Sequence, residues 1–142
     1  MDRRGMFATT ATSFLIARPP NYDKYASSYD STSSPSSPLP TLLGISKLRA
    51  SLISTYAYGD VIEVGGGTGG NLVGGYDFGG VDSVTLTDVS SEMMKIAKTK
   101  VEGVLENASR KISFAELNIL DPVGEKFLGR FDTVVCTFVL CV

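Results

Sequence analysis

The sequence predicts an α/β fold in which a parallel β-sheet is flanked by helices. Short runs rich in β-branched residues alternate with longer segments whose apolar residues recur at helical spacing. This alternation is typical of strands joined by helical crossovers, which make neighbouring strands parallel. The 142 residues are 43% hydrophobic and 20% charged, which indicates one globular domain with a real core.

The N-terminal part of the chain contains two segments that we do not expect in the core. Residues 1–20 carry Arg, Ser and Thr with few acids, which fits either a flexible tail or an organelle transit segment. Residues 31–40 are rich in Ser and Pro and are expected to form a loop. Between these segments, Tyr22, Tyr25 and Tyr29 have the spacing of a single helical face.

Three helices are expected further along the chain. Residues 41–58 predict an amphipathic helix from the period of their apolar residues. A second helix, poor because four glycines interrupt it, is expected from about Thr68 or Gly69. A third begins after Ser90 or Ser91, which can cap it, and runs to about residue 106.

Four strands are expected between and after these helices. They are predicted at 61–64, at 83–87, at 111–117 and within 130–142. The fourth is apolar enough to be buried on both faces of the sheet. Cys136 and Cys141 lie in this fourth segment and are expected to be reduced, buried thiols.

A glycine-rich loop follows the first strand, in Asp60-Val-Ile-Glu-Val-Gly-Gly-Gly-Thr-Gly-Gly-Asn71. Glycine permits a tight turn and a close approach of the backbone to a ligand. In open parallel sheets, ligands bind beyond the carboxyl ends of the strands. Asp88 ends the second strand, and its carboxylate can accept two hydrogen bonds from a ribose diol. Asn118, after the third strand, offers a donor and an acceptor to an adenine edge.

Two different cofactors are compatible with this pattern. Gly65-x-Gly67-x-x-Gly70 with Asp88 matches the fingerprint of a dinucleotide site, which would make the chain a nicotinamide-dependent oxidoreductase. Glu63 separates the two cofactors, because a buried carboxylate just before the loop repels a pyrophosphate and suits a cationic ligand. S-adenosylmethionine carries an ammonium and a sulfonium and has no phosphate.

Three motifs in order resemble class I S-adenosylmethionine-dependent methyltransferases. Glu63-Val-Gly-Gly-Gly-Thr-Gly69 is similar to the E-x-G-x-G-x-G motif of that family. Thr87-Asp-Val-Ser-Ser-Glu-Met-Met-Lys-Ile-Ala97 resembles its second motif, and Phe131-Asp-Thr-Val-Val resembles the opening of its fourth strand. The likeness covers about residues 21–142 and is strongest to the branch of thiol and ubiquinone-biosynthesis methyltransferases.

The resemblance implies a fold, a cofactor and a set of contact residues. The fold is a Rossmann-like parallel sheet, of which this chain holds about four of seven strands in an incomplete domain spanning 21–142. The cofactor is S-adenosylmethionine, and the reaction is O-, S- or C-methylation of a small-molecule acceptor. The residues implied for cofactor binding are Glu63, Gly65, Gly67, Gly69, Asp88, Val89, Met93 and Asn118. A tyrosine of the segment 22–29 is implied to fold over the site.

Composition and charge limit the other functions. The chain contains no histidine, which excludes a Ser/His/Asp triad, a histidine base and histidine metal ligands; we expect no metal site and assign no catalytic base. A net charge of −2 argues against nucleic-acid binding. No apolar run approaches the roughly 20 residues of a transmembrane segment.

An incomplete sheet leaves its fourth strand as an exposed edge, which predicts self-association. A non-catalytic methyltransferase fragment is an open alternative, and the compartment is expected to be cytoplasmic or mitochondrial.

Overall fold

The computed structural model describes residues 21–32, 42–104, 111–118, 127 and 129–137. Seven elements are found there. In chain order they are α1 (Tyr22–Thr32), α2 (Ile45–Tyr56), β1 (Gly59–Val64), β2 (Val81–Asp88), α3 (Ser91–Val104), β3 (Ile112–Glu116) and β4 (Thr133–Cys136). The predictions for residues 1–20, for most of the Ser/Pro segment and for Cys141 lie outside the described residues. Ser31 and Thr32 belong to α1 rather than to the predicted loop.

The four strands form one sheet in the order β3-β2-β1-β4, and every pair is parallel. β1 therefore lies between β2 and β4. In the register, Glu63 of β1 lies beside Leu86 of β2 and Val135 of β4. The carboxyl ends of the strands meet at one edge of the sheet, where ligands of such folds bind. The α/β fold class predicted from the sequence is confirmed.

The core lies between the sheet and α3, together with the segment that follows β1. Leu86 and Ala97 are both 0% exposed, and Leu72 is 1% exposed. These residues belong to a buried cluster that also includes Ile53, Val61, Tyr76, Val81, Val84, Val101 and Val135. Complete burial of a side chain such as Leu86 contributes about 2 kcal/mol to folding. This core fixes the strand ends on which the candidate site is built.

The segment between β1 and β2 is not the poor helix that its pattern predicted. Residues 67–75 form consecutive turns. The N–H groups of Gly74 and Gly75 both donate to the carbonyl oxygen of Asn71, at 3.4 and 2.7 Å. Each glycine costs about 1 kcal/mol in a helix relative to alanine, and this short segment contains several. The glycines therefore favour turns over a continuous helix.

Helix α2 forms as predicted, but most of its apolar side chains face away from the core. Ile53 is the buried residue of this helix. Leu48 and Leu52 are 64% and 51% exposed, and Tyr56 is also exposed. The helical period therefore gave the correct element but not the extent of its burial. Within the described ranges, no helix is long and apolar enough to cross a membrane.

The prediction that the fourth strand is buried on both faces is wrong for its described residues. Val135 is buried, but Val134 is 67% exposed, and Cys136 is an exposed free thiol. Val134 and Cys136 are two positions apart and therefore lie on the same face of the sheet. The expected burial of Cys136 is wrong because no described element covers this face at β4.

Candidate functional site

The loop after β1 has the backbone geometry that its glycines permit. Gly65, Gly67 and Gly69 have φ angles of 64°, 55° and 73°, in the left-handed region that favours glycine. A Cβ added at Gly66 would lie 2.3 Å from Leu86 Cδ1, so this glycine permits close packing on β2. A Cβ added at Gly67 would meet nothing within 4 Å. The loop is therefore packed against the sheet at Gly66 and open at Gly67.

Asp88 is fixed at the end of β2 by two backbone hydrogen bonds. Its Oδ2 accepts the N–H of Gly67 at 2.9 Å, and its Oδ1 accepts the N–H of Ser90 at 2.8 Å. The side chain is 9% exposed. A carboxylate has about four lone-pair positions, so each oxygen keeps one for a further donor. Asp88 thus joins the glycine loop to the start of α3 and retains the capacity to accept a diol.

Glu63 is buried beneath the loop, where it is 1% exposed. Its Oε1 accepts the Asn71 amide at 2.7 Å, and its Oε2 accepts the Tyr76 hydroxyl at 2.8 Å. Burial raises the pKa of Glu63 to about 7, although both hydrogen bonds and the charge of Arg49 act in the opposite direction. A carboxyl with this pKa changes its charge near neutral pH, so a nearby cation would favour its ionised form.

Sequence reasoning missed three residues around Glu63. Asn71 also donates to Thr137 Oγ1 at 3.1 Å and so links the glycine segment to the end of β4. Burial raises the pKa of Tyr76 above its usual value, and the charge of Glu63 adds to this effect. Burial lowers the pKa of Arg49, against the opposing charges of Glu63 and Tyr29. Their sequence positions carried no signal, because nothing in the pattern showed that these side chains would turn toward Glu63.

Helix α1 lies over this end of the sheet. The pKa of Tyr22 and that of Tyr29 are raised, mainly by burial, and the charge of Asp88 contributes to both shifts. Tyr25 is 57% exposed, and Ala26 is the buried residue of the helix. The three tyrosines lie on one helix as expected, but their burial differs: Tyr22 and Tyr29 are half-buried near Asp88, whereas Tyr25 is mostly exposed to solvent.

The remaining predicted contact residues follow β2 and β3. Val89 is 55% exposed directly after Asp88 and is accessible to a ligand. Asn118 is half-buried, and the preceding residue, Leu117, donates its N–H to the carbonyl oxygen of Asp88 at 3.1 Å. The structure thus brings Asn118 close to the end of β2. Met93 is 2% exposed and belongs to the interior, so an adenine contact would require its neighbours to move.

A cavity of about 450 Å³ lies beside the glycine segment. Its charged lining residues are Asp30 of α1, Arg49 of α2 and Lys100 of α3. Asn71 also lines it, and its side-chain oxygen is buried without a hydrogen-bond partner in the described part of the chain. Across those same residues, no group of three His, Cys, Asp or Glu side chains could hold a metal ion. Most of the lining surface is apolar, so these charged side chains and Asn71 are the groups that could bind the polar parts of a ligand.

Solved structures with a similar arrangement identify the fold. The chain is similar to DhpI in its complex with SAH, at 25% identity and a TM-score of 0.54, over 73% of this chain and 45% of DhpI. It is also similar to an S-adenosylmethionine-dependent methyltransferase from Thiobacillus denitrificans, at 17% identity and a TM-score of 0.54, over 85% of this chain and 44% of that one. The described residues therefore have the fold of these S-adenosylmethionine-dependent methyltransferases.

A curated protein is also similar to this chain in sequence. The polyketide synthase-nonribosomal peptide synthetase pyiS of Pyricularia grisea is 31% identical over 101 residues, which cover 68% of this chain and 2% of the synthetase. No protein-family model matches the chain. The chain therefore spans a small part of pyiS and less than half of each of the two solved methyltransferase-fold neighbours.

Proposed function

We propose that this chain binds S-adenosylmethionine and that the protein transfers its methyl group to a small-molecule acceptor. The observation that carries the proposal is a fully buried carboxylate, Glu63, beneath a glycine loop whose neighbouring strand ends in Asp88. The glycine loop would receive the amino-acid end of the cofactor, and Asp88 would accept the hydrogen bonds of its ribose diol. The presence of SAH in the DhpI structure supports this assignment.

The residues present fit this cofactor. The space beside Gly67, where a Cβ would meet nothing within 4 Å, allows a ligand to approach the backbone. The buried side-chain oxygen of Asn71 is an acceptor in need of a donor, and an ammonium group carries three. Glu63 supplies a negative charge nearby. Val89, accessible after Asp88, and Asn118 at the end of β3 would contact the adenine.

The dinucleotide alternative is weaker in this structure. A pyrophosphate in such folds binds at the N-terminus of the helix that follows the glycine loop. Here residues 67–75, which include the second half of the loop and the segment after it, form turns, so no helix N-terminus with aligned N–H groups follows the loop. Glu63 would also repel a phosphate. The glycine spacing alone therefore does not favour a nicotinamide cofactor.

In this proposal the protein accelerates methyl transfer mainly by positioning the cofactor and the acceptor. The cofactor, when bound, supplies a methyl group already activated by a sulfonium. Transfer then needs a nucleophile held in line, and orientation can provide most of the acceleration. The chain's own residues would bind and orient the cofactor through the glycine loop and Asp88. We assign no catalytic base, and an oxygen, sulfur or carbon nucleophile of the acceptor remains compatible with the site.

Calorimetry with S-adenosylhomocysteine tests the cofactor. We expect the wild-type chain to bind it and to bind NAD more weakly. Glu63→Gln should weaken binding of S-adenosylhomocysteine, whereas Glu102→Gln, at an exposed position of α3, should not. Tighter binding of NAD, or no binding of either compound, would contradict the proposal. A chain that binds the cofactor but methylates neither thiols nor phenols would instead support a non-catalytic fragment.

We also propose that the protein self-associates through β4. This strand pairs with β1 on one side, and no described residue pairs with its other side. An unpaired strand edge presents free N–H and C=O groups to another chain. The exposed side chains of Val134 and Cys136 add apolar surface next to this edge. A cytoplasmic or mitochondrial location stays a prediction of the sequence.

A further inference from the structure

Helix α1 is held on the molecule by limited packing and by several polar contacts. Among its 11 residues, Ala26 is the one that is buried. A helix of this length is marginal in water unless packing stabilises it. Burial of one alanine provides little packing energy, and Tyr22 and Tyr29 are only half-buried. The position of α1 therefore depends also on the hydrogen bonds and ion pairs of its other side chains.

Two carboxylates of α1 make these contacts. Asp23 Oδ1 accepts the Ser90 hydroxyl at 2.5 Å, and Asp30 Oδ1 accepts the Thr68 hydroxyl at 2.6 Å. The second oxygen of Asp30 forms an ion pair with Lys100 of α3. Ser90 and Thr68 are 4% and 2% exposed. Hydrogen bonds from buried hydroxyls to ionised acceptors are among the stronger ones in proteins.

Ser90 and Thr68, whose hydroxyls bind these carboxylates, lie in the two loops that orient Asp88. Ser90 donates its own backbone N–H to Asp88 Oδ1 at 2.8 Å. Thr68 directly follows Gly67, whose N–H donates to Asp88 Oδ2 at 2.9 Å. Each carboxylate of α1 therefore holds a residue at, or next to, one of the two donors that fix Asp88. Docking of α1 would therefore help to fix the position of Asp88, the proposed acceptor of the ribose hydroxyls.

We propose that Asp23 and Asp30 are positioning residues that couple docking of α1 to cofactor binding. By holding Ser90 and Thr68, they fix the two N–H groups that orient Asp88, while Tyr22 and Tyr29 cover that end of the sheet. The docked helix favours the bound state, and its release accompanies dissociation of the cofactor. The inference rests on the proposed cofactor, but its structural part is open to an independent measurement.

Asp30→Ala gives a sharp test, because its effect on an isolated helix is opposite to the effect proposed here. Alanine has the higher helix propensity, and an acid in the last turn opposes the helix dipole, so the substitution should favour an isolated helix. If Asp30 anchors α1, amide hydrogen exchange in 22–32 should nevertheless become faster without ligand. The amides of β1 and β2 should keep their protection, which would distinguish undocking of α1 from global unfolding.

The functional part of the test is the affinity for S-adenosylhomocysteine. When undocked molecules predominate, the apparent affinity falls in proportion to the docked fraction. We expect Asp30→Ala to weaken binding about tenfold, which matches the loss of one hydrogen bond to a charged group, with faster dissociation. Lys24→Ala, at an exposed position of the same helix, should bind as the wild type does.

A double-mutant cycle with Thr68→Val checks the contact itself. If Asp30 acts through the Thr68 hydroxyl, the double variant should bind about as weakly as the weaker single variant rather than showing the summed loss. Asp23→Ala should reproduce the faster exchange of α1 and the weaker binding. Wild-type affinity in both aspartate variants would overturn the coupling and leave the proposed cofactor intact. Absence of binding by the wild type would overturn both proposals.

Discussion

At the scale of one residue, the buried environment of Glu63 makes the stability of the fold depend on pH. Its pKa is about 7 in the folded chain, raised by burial from an ordinary value of 4.5. The folded chain therefore binds more protons than the unfolded chain between pH 4.5 and 7. This contribution stabilises the fold at low pH and is lost as the pH rises through 7. The shift corresponds to about 3 kcal/mol.

Glu63→Gln should remove this dependence. The Gln oxygen can accept the Asn71 amide, and the Tyr76 hydroxyl can turn to accept from the Gln amide. We expect the variant to gain stability relative to the wild type by up to about 3 kcal/mol between pH 5 and pH 8. Urea denaturation at both pH values gives the comparison. Equal differences at the two values would show that Glu63 does not titrate in this range.

The same carboxyl predicts how cofactor affinity changes with pH. A cationic ligand favours ionised Glu63 and lowers its pKa on binding. The affinity for S-adenosylhomocysteine should therefore fall as the pH drops below 7, and calorimetry across pH 5.5–8 measures this. In Glu63→Gln the affinity should be lower and nearly independent of pH over that range. An affinity that rises at acidic pH would contradict a cationic ligand at this position.

At the scale of elements, the glycine loop is constrained by its packing on β2. Gly66→Ala would place a methyl group 2.3 Å from Leu86 Cδ1, and Leu86 is fully buried. We expect a loss of about 1–3 kcal/mol in the free energy of unfolding, as for other overpacked cores. Gly74→Ala is the matched control, because its Cβ would meet nothing within 4 Å. Chemical denaturation of both variants distinguishes packing from a general effect of alanine.

Two adjacent residues of helix α2 differ sharply in burial. Ile53 is 6% exposed and Leu52 is 51% exposed. Ile53→Ala should cost about 2–5 kcal/mol, as for buried aliphatic residues, whereas Leu52→Ala should cost well under half as much. Thermal or urea unfolding measures both. Similar losses would mean that the outer face of α2 is covered in solution. The sequence predicted this helix from its period, but the period does not show how much of an apolar face finds a partner.

At the scale of the whole molecule, the proposed self-association through β4 can be tested, since no described residue pairs with the outer edge of this strand. Val134→Lys places a charge on an exposed strand edge, a substitution that opposes edge-to-edge pairing. We expect the oligomer measured by light scattering to shift toward monomer. Val73→Lys, at another exposed valine in the segment after β1, should leave it unchanged. A monomeric wild type, or equal association in both variants, would contradict pairing through β4.

The sequence by itself determined the alternation of strands and helices, the glycine loop, and the acids at the carboxyl ends of β1 and β2, Glu63 and Asp88. These features are local, since strand and helix periods and the φ angles of glycine depend on neighbouring residues. The Rossmann-like fold expected from three motifs is confirmed by the order and direction of the four strands and by the likeness to solved methyltransferase structures. The proposed cofactor residues Glu63 and Asp88 were likewise expected at adjacent strand ends.

Only the tertiary structure decided what surrounds those residues. Asn71 and Tyr76 bind Glu63, and Asp23 and Asp30 reach the loops around Asp88, through contacts between segments that the sequence pattern does not relate. The tertiary structure also decided which apolar side chains are buried, since Cys136 of β4 and the leucines of α2 are exposed. Periodicity reports which side chains share a face. Whether another element covers that face depends on packing between distant parts of the chain.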